Sequence, residues 1–118
     1  MDLNDTPEQA SYRERVRSWL DEHKSGAPSK AGSSEDTAYI DARRAWQGKL
    51  AEAGLAGVTW PEEFGGQALG PIEQVTIGQE IGRAGVPGIL DTIGIGMLGP
   101  CIIAHGSEEQ KTLSLIHI

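Results

Sequence analysis

Residues 94–99 read GIGMLG, the glycine spacing of a turn that binds the pyrophosphate of a dinucleotide. That chemistry needs a strand before the first glycine, a helix after the third, and an acid about 20 residues further on. Here no strand pattern precedes Gly94, Pro100 follows the third glycine directly, and an acid at that distance would lie beyond Ile118. The sequence favours the alternative, in which the glycines lack side-chain bulk on a buried helix, so that a neighbouring element or the tail of a ligand can lie against it.

Other side chains that could do chemistry are not arranged for it. The three histidines, His23, His105 and His117, lack the spacing of metal ligands. Glu62 and Glu63 are adjacent on a loop, where neighbouring carboxylates normally point apart and are solvated or cap a helix. No nucleophile lies in a recognisable sharp turn or beside a helix start. We therefore predict no metal site and no catalytic residue in this chain.

The overall charge excludes one large class of partner. Acidic residues number 17 and basic residues 10, so the 118-residue chain has a formal net charge of -7. Nucleic-acid binding depends on a dense positive surface, which this composition does not provide. Cys101, the single cysteine, lies in the apolar run GPCIIA, and this predicts a buried thiol in a reducing, cytoplasmic setting. No secretory signal and no membrane-spanning apolar run is recognisable.

The elements that would position a site begin with an amphipathic helix. Thr6 and Gln9 can form a capping box, with Pro7 at the first helical position, so we predict a helix from there to about Lys24. Apolar residues recur at steps of three and four along one side. The opposite side is predicted to be solvated and carries three charged residues: Arg13, Arg17 and Asp21.

A polar linker is expected to separate the first two helices. Residues 25–37 contain no large apolar side chain that could offset the entropy lost on ordering, so we predict a mobile linker. Helical periodicity returns from Tyr39 to Ala53, with Trp46 and the aliphatic stem of Arg43 on the apolar side. Gly54 then suits the left-handed position that ends a helix.

Two more helical segments follow. Gly70 and Pro71 resemble an N-cap and first helical position, which predicts a third helix to about Ala84. Its apolar residues cover more than one side, and Gly78 and Gly82 leave room for a close neighbour, so we expect it to be central. Residues 89–104 carry a single charge and are otherwise apolar or glycine on all sides, which predicts burial on all sides.

The end of the chain is expected to be incomplete. Gly106 closes the apolar segment, and the sequence SEEQ from Ser107 opens another capping box. The chain then stops before we expect that helix to be completed. Residues 113–118 bring four apolar side chains without a partner, which would form an exposed apolar patch: Leu113, Leu115, Ile116 and Ile118.

Between the second and third helices lies TWPEEFGG, residues 59–66. Pro61 keeps Trp60 out of the helical region, and Gly65 and Gly66 permit backbone angles closed to other residues. The loop is therefore predicted to be shaped, with Trp60 as an anchor and the whole stretch setting the second helix against the third.

The order of these pieces resembles a known family. GLAGVTWPEEFGGQALGPIEQVTIGQEIGRAGVP followed by MLGPCIIAHGSEEQK is similar to the N-terminal helical domain of the acyl-CoA dehydrogenases, over about Tyr39 to Lys111. The resemblance implies an all-α helical bundle, incomplete at its C-terminus, over residues 1–112. Residues 113–118 depart from the family pattern and are interpreted as an aberrant, truncated or frame-shifted tail.

The resemblance also implies a function. Members of the family remove a proton alpha to a thioester carbonyl with a glutamate and pass the beta hydrogen as hydride to FAD, which is bound mainly by two domains that this chain lacks. The expected partners are an acyl-CoA substrate, an electron-transferring flavoprotein and further subunits of a homo- or hetero-oligomer. The substrate-binding residues implied here are four: Ile89, Thr92, Gly96 and Gly99.

Two questions stay open at the level of sequence. The small Gly96 and Gly99 are compatible with a roomy pocket for a bulky or branched acyl group, and equally with the close approach of another helix. The chain itself is either an enzyme fragment that is inactive alone or a non-enzymatic helical module that binds an acyl chain or a partner subunit.

Overall fold

The computed structural model describes residues 2–117, and their regular structure is helical, with no strand among them. The all-α prediction is confirmed. Five α-helices and one π-helical turn follow in chain order: α1 Pro7–His23, α2 Thr37–Glu52, α3 Pro71–Ala84, a π-helical turn Gly94–Leu98, α4 Gly99–His105 and α5 Glu108–Ser114. Three short 3-10 turns connect or end them: Lys24–Gly26, Glu62–Phe64 and Leu115–His117.

Local capping places the helix starts where the sequence predicts them. The Thr6 hydroxyl accepts from the Gln9 amide at 3.2 Å, and the Gln9 side chain accepts from the Thr6 amide at 2.8 Å. Ser107 and Gln110 form the same reciprocal pair at the start of α5. The expectation that the chain stops before this last helix is made is wrong, because α5 completes seven residues. A capped start supplies the nucleus that a short helix otherwise lacks.

The predicted linker is an irregular segment with a defined exit. After the turn at Lys24–Gly26, residues 27–36 have no helix, and the Asp36 carboxylate accepts from the Ala38 and Tyr39 amides at 3.0 and 3.3 Å to start α2. The Tyr39 hydroxyl donates to the Lys30 carbonyl at 3.3 Å. The mobility of residues 25–37 stays a prediction.

One apolar core joins the first three helices. Val16 and Leu20 from α1 and Trp46 and Leu50 from α2 are buried together with Ile77 from α3. Three residues outside these helices complete the core: Leu55, Val58 and Val86. These side chains lie on the apolar stripes that the periodicity predicts, so the hydrophobic pattern determines which faces meet.

A buried carboxylate fixes α1 against α3. The Glu80 side chain is only 3% exposed, and it accepts hydrogen bonds from Arg17 Nη2 at 2.8 Å, Arg83 Nε at 2.6 Å and Arg13 Nη1 at 3.3 Å. Asp21 is exposed as predicted, but Arg13 is mostly covered, and the half-exposed Arg17 joins it in pairing with Glu80 instead of being only solvated. A helical pattern gives the side of a residue but not its partner, and Glu80 lies more than 60 positions away.

Two predictions of burial are also wrong for this chain. Within residues 2–117 nothing lies within 4 Å of a Cβ built at Gly78 or Gly82, apart from their own helix, so α3 has an open side. In the segment predicted to be buried on all sides, Ile93 is 71% and Met97 67% exposed, and the Cys101 thiol is exposed as well. The reason is that the described chain contacts this segment from only some of its sides.

The tail lies partly outside the described residues. Residues 113–117 run through the end of α5 and the last 3-10 turn, and Leu113 and Ile116 are exposed as the sequence predicts. Leu115 is half-buried. Ile118, the fourth member of the predicted patch, lies outside the described residues, as does Met1.

Replacing Glu80→Gln should lower the free energy of unfolding by about 1–3 kcal/mol, because it weakens charge-assisted hydrogen bonds at a buried site. The measurement is urea unfolding followed by tryptophan fluorescence. Glu62→Gln, at an exposed carboxylate, is the matched control and should change stability by less than about 0.5 kcal/mol. Equal unfolding midpoints for the two variants would contradict the role assigned to Glu80.

Stability should also fall in acid because of this carboxyl. Hydrogen bonds from Arg17, Arg83 and Arg13 outweigh the effect of burial and lower the pKa of Glu80 from 4.5 to about 2. A lowered pKa stabilises the folded state fully above the unfolded value of 4.5, and this contribution is lost as the pH falls towards about 2. The Glu80→Gln variant should show a weaker loss of stability over that range, measured by urea unfolding at each pH.

Candidate functional site

A cleft of about 350 Å³ lies between α3 and the chain around the π-helical turn. One side is formed by Ile77, Gly78 and Ile81 of α3, and the other by Ile89 and Gly96. Further lining comes from the segment 55–60 with Trp60, and from four single residues: Gln74, Gly88, Ile95 and Pro100. The lining is mostly aliphatic or glycine, so this cleft fits an apolar group better than a charged one.

The structure brings together two of the four predicted substrate residues. Ile89 and Gly96 both line the cleft. Thr92 is exposed and Gly99 is buried, and neither is part of the lining. The substrate-binding role of all four residues stays a prediction, but only Ile89 and Gly96 lie where one apolar ligand would touch both.

Side chains of α2 hold the loop that carries Ile89. The Trp46 indole donates to the Pro87 carbonyl at 2.7 Å, and the Gln47 side-chain oxygen accepts from the Leu90 amide at 2.5 Å. Arg43 Nη2 donates to the Gly88 carbonyl at 3.4 Å. Sequence reasoning missed these contacts, because it assigned Trp46 and Arg43 to an apolar stripe and gave Gln47 no role. Backbone groups of a loop need such partners when no helix supplies them.

Trp60 anchors the other part of the cleft. Its indole Nε1 donates to the Ile95 carbonyl at 3.0 Å, and the residue is 8% exposed. The loop after it folds back on its backbone, since the Ala68 amide donates to the Trp60 carbonyl at 2.8 Å and a Cβ at Gly66 would collide with that carbonyl. The prediction of an anchor is confirmed, although the anchored segment is the π-helical turn rather than α2 and α3 alone.

The two outer glycines of GIGMLG have different local roles. The Gly94 amide donates to the Asp91 carboxylate at 2.8 Å, and a Cβ at Gly94 would collide with that carboxylate. A Cβ at Gly99 would collide with the Trp60 ring. The sequence predicts that another helix or a ligand tail lies close to these glycines. In the structure the close neighbours are the Asp91 carboxylate at Gly94 and the Trp60 ring at Gly99.

The residues present do not fit a dinucleotide. Phosphate binding at a glycine-rich turn needs free backbone N–H groups and no nearby negative charge. Here Asp91 occupies the Gly94 amide, and no strand leads into the turn. The Gly94 amide is therefore not free to bind a phosphate at this motif.

The cleft also contains no group suited to proton transfer. The described residues that line it include no Asp, Glu, His, Lys, Arg or Cys, and the uncharged polar side chains are Thr59, Gln74 and the Trp60 indole. Within residues 2–117 no cluster of three potential metal ligands is found. No helix in the same range is long and apolar enough to cross a membrane. The arrangement can hold and orient an apolar group, and a reaction on that group would need residues from elsewhere.

Comparison with known proteins gives a consistent result. The family model for the acyl-CoA dehydrogenase N-terminal domain matches residues 6–117. The chain is 35% identical over 104 residues to the acyl-CoA dehydrogenase IpdE1 of Mycobacterium tuberculosis, a match that covers 85% of this chain and 27% of the relative.

Solved structures agree. The crystal structure of the ChsE4–ChsE5 complex from Mycobacterium tuberculosis matches with a TM-score of 0.72 and 25% identity, over 98% of this chain and 28% of that one. A steroid ACAD variant, Tcur3481–Tcur3483, matches with a TM-score of 0.63 and 25% identity, over 91% of this chain and 27% of that one. The chain thus spans about a quarter of the length of the proteins it matches.

The fit of Trp60 against Gly99 can be tested by two alanine substitutions in the same segment. Gly99→Ala should lower the free energy of unfolding by about 1–3 kcal/mol, because the added methyl group collides with the indole ring. Gly96→Ala is the matched control. Nothing lies within 4 Å of its new Cβ, so stability should stay the same or rise by up to about 1 kcal/mol. Urea unfolding measures both, and a Gly99→Ala variant as stable as Gly96→Ala would contradict the packing.

Proposed function

Because the chain belongs to the acyl-CoA dehydrogenase family, as its N-terminal domain, we propose that it is part of a flavin-dependent enzyme that oxidises an acyl-CoA thioester between its alpha and beta carbons. In such an enzyme FAD accepts the hydride. We place the catalytic carboxylate and most of the FAD site in domains outside this chain, whose relatives are about four times as long. The chain alone is therefore proposed to be inactive.

The role we assign to this chain is a wall of the acyl pocket. The observation that carries this is the aliphatic cleft in which Ile89 and Gly96 lie opposite α3. Each acyl methylene that moves from water to such a surface stabilises binding by about 0.8 kcal/mol. The absence of charged groups from the lining also favours a dry environment, which a reaction at the carbon alpha to a thioester requires.

For the substrate, we propose a bulky or branched acyl group. Gly78 and Gly96 both line the cleft without a side chain, and a Cβ built at either position meets no described atom within 4 Å apart from its own helix. One solved relative is a steroid ACAD, and a steroid is a large rigid ring system. A wide cleft between two glycines would admit a group of that kind, whereas a straight chain would leave part of it unfilled.

Assembly and electron transfer complete the proposal. One relative is titled as a complex of two named chains, and we propose that the complete enzyme likewise forms a homo- or hetero-oligomer. Exposed apolar side chains such as Ile93 and Met97 supply surface that the remainder of the enzyme would cover. We further propose that the enzyme acts in the cytoplasm and passes its electrons to an electron-transferring flavoprotein.

The first experiment is to read the encoding gene through and beyond the codon for Lys111, in all three frames, and to express the complete product. Bound FAD and oxidation of acyl-CoA thioesters would support the proposal, and a frame change after Lys111 would support the interpretation of residues 113–118 as an aberrant tail. A product without a flavin domain would contradict the enzyme, and binding of acyl-CoA by the isolated chain would then favour a helical binding module.

Gly96→Leu in the complete enzyme should lower kcat/KM for a bulky acyl-CoA at least about tenfold and leave a short straight acyl-CoA nearly unchanged, because the new side chain enters the cleft. The matched control is Gly48→Leu on the exposed surface of α2, outside the cleft, which should change neither value. The measurement is steady-state kinetics with acyl-CoA thioesters of graded bulk. A parent enzyme that prefers short straight chains would contradict the proposed substrate.

A further inference from the structure

One backbone carbonyl in the cleft wall has no backbone donor available to it. In the π-helical turn the Gly99 amide donates to the Gly94 carbonyl, five residues back, instead of to Ile95. The next residue that could reach the Ile95 carbonyl with the same spacing is Pro100, which has no N–H. The Ile95 carbonyl therefore depends on a partner from outside the helix.

Trp60 is that partner. Its indole nitrogen lies 3.0 Å from the Ile95 carbonyl oxygen, and its ring lies against the surface left bare by Gly99. This carbonyl is part-buried, and a polar group removed from water without a partner is destabilising, so the indole stabilises the turn that would otherwise leave it unpaired. Gly99, Pro100 and Trp60 thus act together, although Trp60 lies 35 positions from Ile95 along the chain.

The alternative to the π-helical turn is a regular α-helix, in which Gly99 would donate to Ile95 and the proline would leave the Gly96 carbonyl unpaired instead. Removing the extra residue of a π-helical turn rotates the preceding residues by about 100° relative to those that follow, since an α-helix turns by about 100° per residue. Ile95 and Gly96 would then point in different directions relative to the cleft.

We propose that Trp60 is a positioning residue, which selects the π-helical turn through the Ile95 carbonyl and so sets the width of the cleft at Gly96. The consequence for substrate choice rests on the function proposed above. The hydrogen bond itself does not, and it is testable in the 118-residue chain.

The test in the chain uses Trp60→Phe, which keeps an aromatic ring but removes the indole N–H. In ¹⁵N NMR spectra the variant should move the amide signals of residues 94–99, while the signals of Glu80 and its surroundings keep their positions. The control is Trp19→Phe, a half-buried tryptophan at which no indole hydrogen bond is found among the described residues. Unchanged signals at 94–99 in Trp60→Phe, or changes spread evenly over the core, would overturn the proposal.

A second variant tests the role of the carbonyl. Pro100→Ala adds a backbone N–H that can pair with the Ile95 carbonyl in the π-helical turn or with the Gly96 carbonyl in a regular α-helix. Trp60→Phe should therefore cost less stability in the Pro100→Ala background than in the parent, measured by urea unfolding of the four chains. An equal cost in both backgrounds is expected if Trp60 only fills space, and it would overturn the role of the carbonyl.

In the complete enzyme, Trp60→Phe should change the ratio of kcat/KM for bulky against straight acyl-CoA by about three- to tenfold, the size expected from one hydrogen bond. An equal loss with both substrates would overturn the effect on specificity. If the parent enzyme oxidises no acyl-CoA, the proposed function fails, whereas the NMR experiments still decide whether Trp60 positions the turn.

Discussion

The buried carboxylate of Glu80 is the constraint on which the packing of the other helices depends. A charge removed from water costs several kcal/mol unless it is fully paired, and only one relative placement of α1 and α3 brings Arg13 and Arg17 to it together with Arg83. Two packed apolar helix faces can shift by one turn at little cost in free energy, whereas such a shift would separate the Glu80 carboxylate from its arginines. With α1 and α3 held, Ile77 of α3 packs in the core and also lines the cleft, while a Cβ at Gly78 or Gly82 meets no described atom outside its own helix within 4 Å.

The cleft follows from a second constraint, which is that backbone groups outside α-helices need partners. Between α3 and α4 the chain leaves regular α-helix twice, at the loop before Asp91 and at the π-helical turn. Trp46 and Gln47 supply partners for the first stretch, and Trp60 supplies one for the second. Three side chains from α2 and its following loop therefore hold both ends of a segment that has few contacts of its own.

These two constraints explain which parts of the fold could be predicted from the sequence. The starts of α1, α3 and α5 are determined by residues within four positions, such as Thr6 with Gln9, and local patterns locate them correctly. The partners of Glu80 and Trp60 lie tens of positions away along the chain, so the helical periodicity of the sequence cannot predict them. The composition of residues 89–104 predicts burial on all sides. An apolar composition indicates that a segment should be covered, but it does not identify the residues that cover it.

The candidate site shows the same contrast between features set by local sequence and contacts made over long sequence separations. The resemblance places Ile89, Thr92, Gly96 and Gly99 on one pocket wall, whereas only Ile89 and Gly96 line the cleft. The signal available in the sequence is Pro100, since a proline inside a continuing helix leaves the carbonyl four or five residues back without its backbone donor. The missing information was the donor. The sequence predicts Trp60 as an anchor, and only the three-dimensional arrangement shows that its indole donates to the Ile95 carbonyl and packs against Gly99.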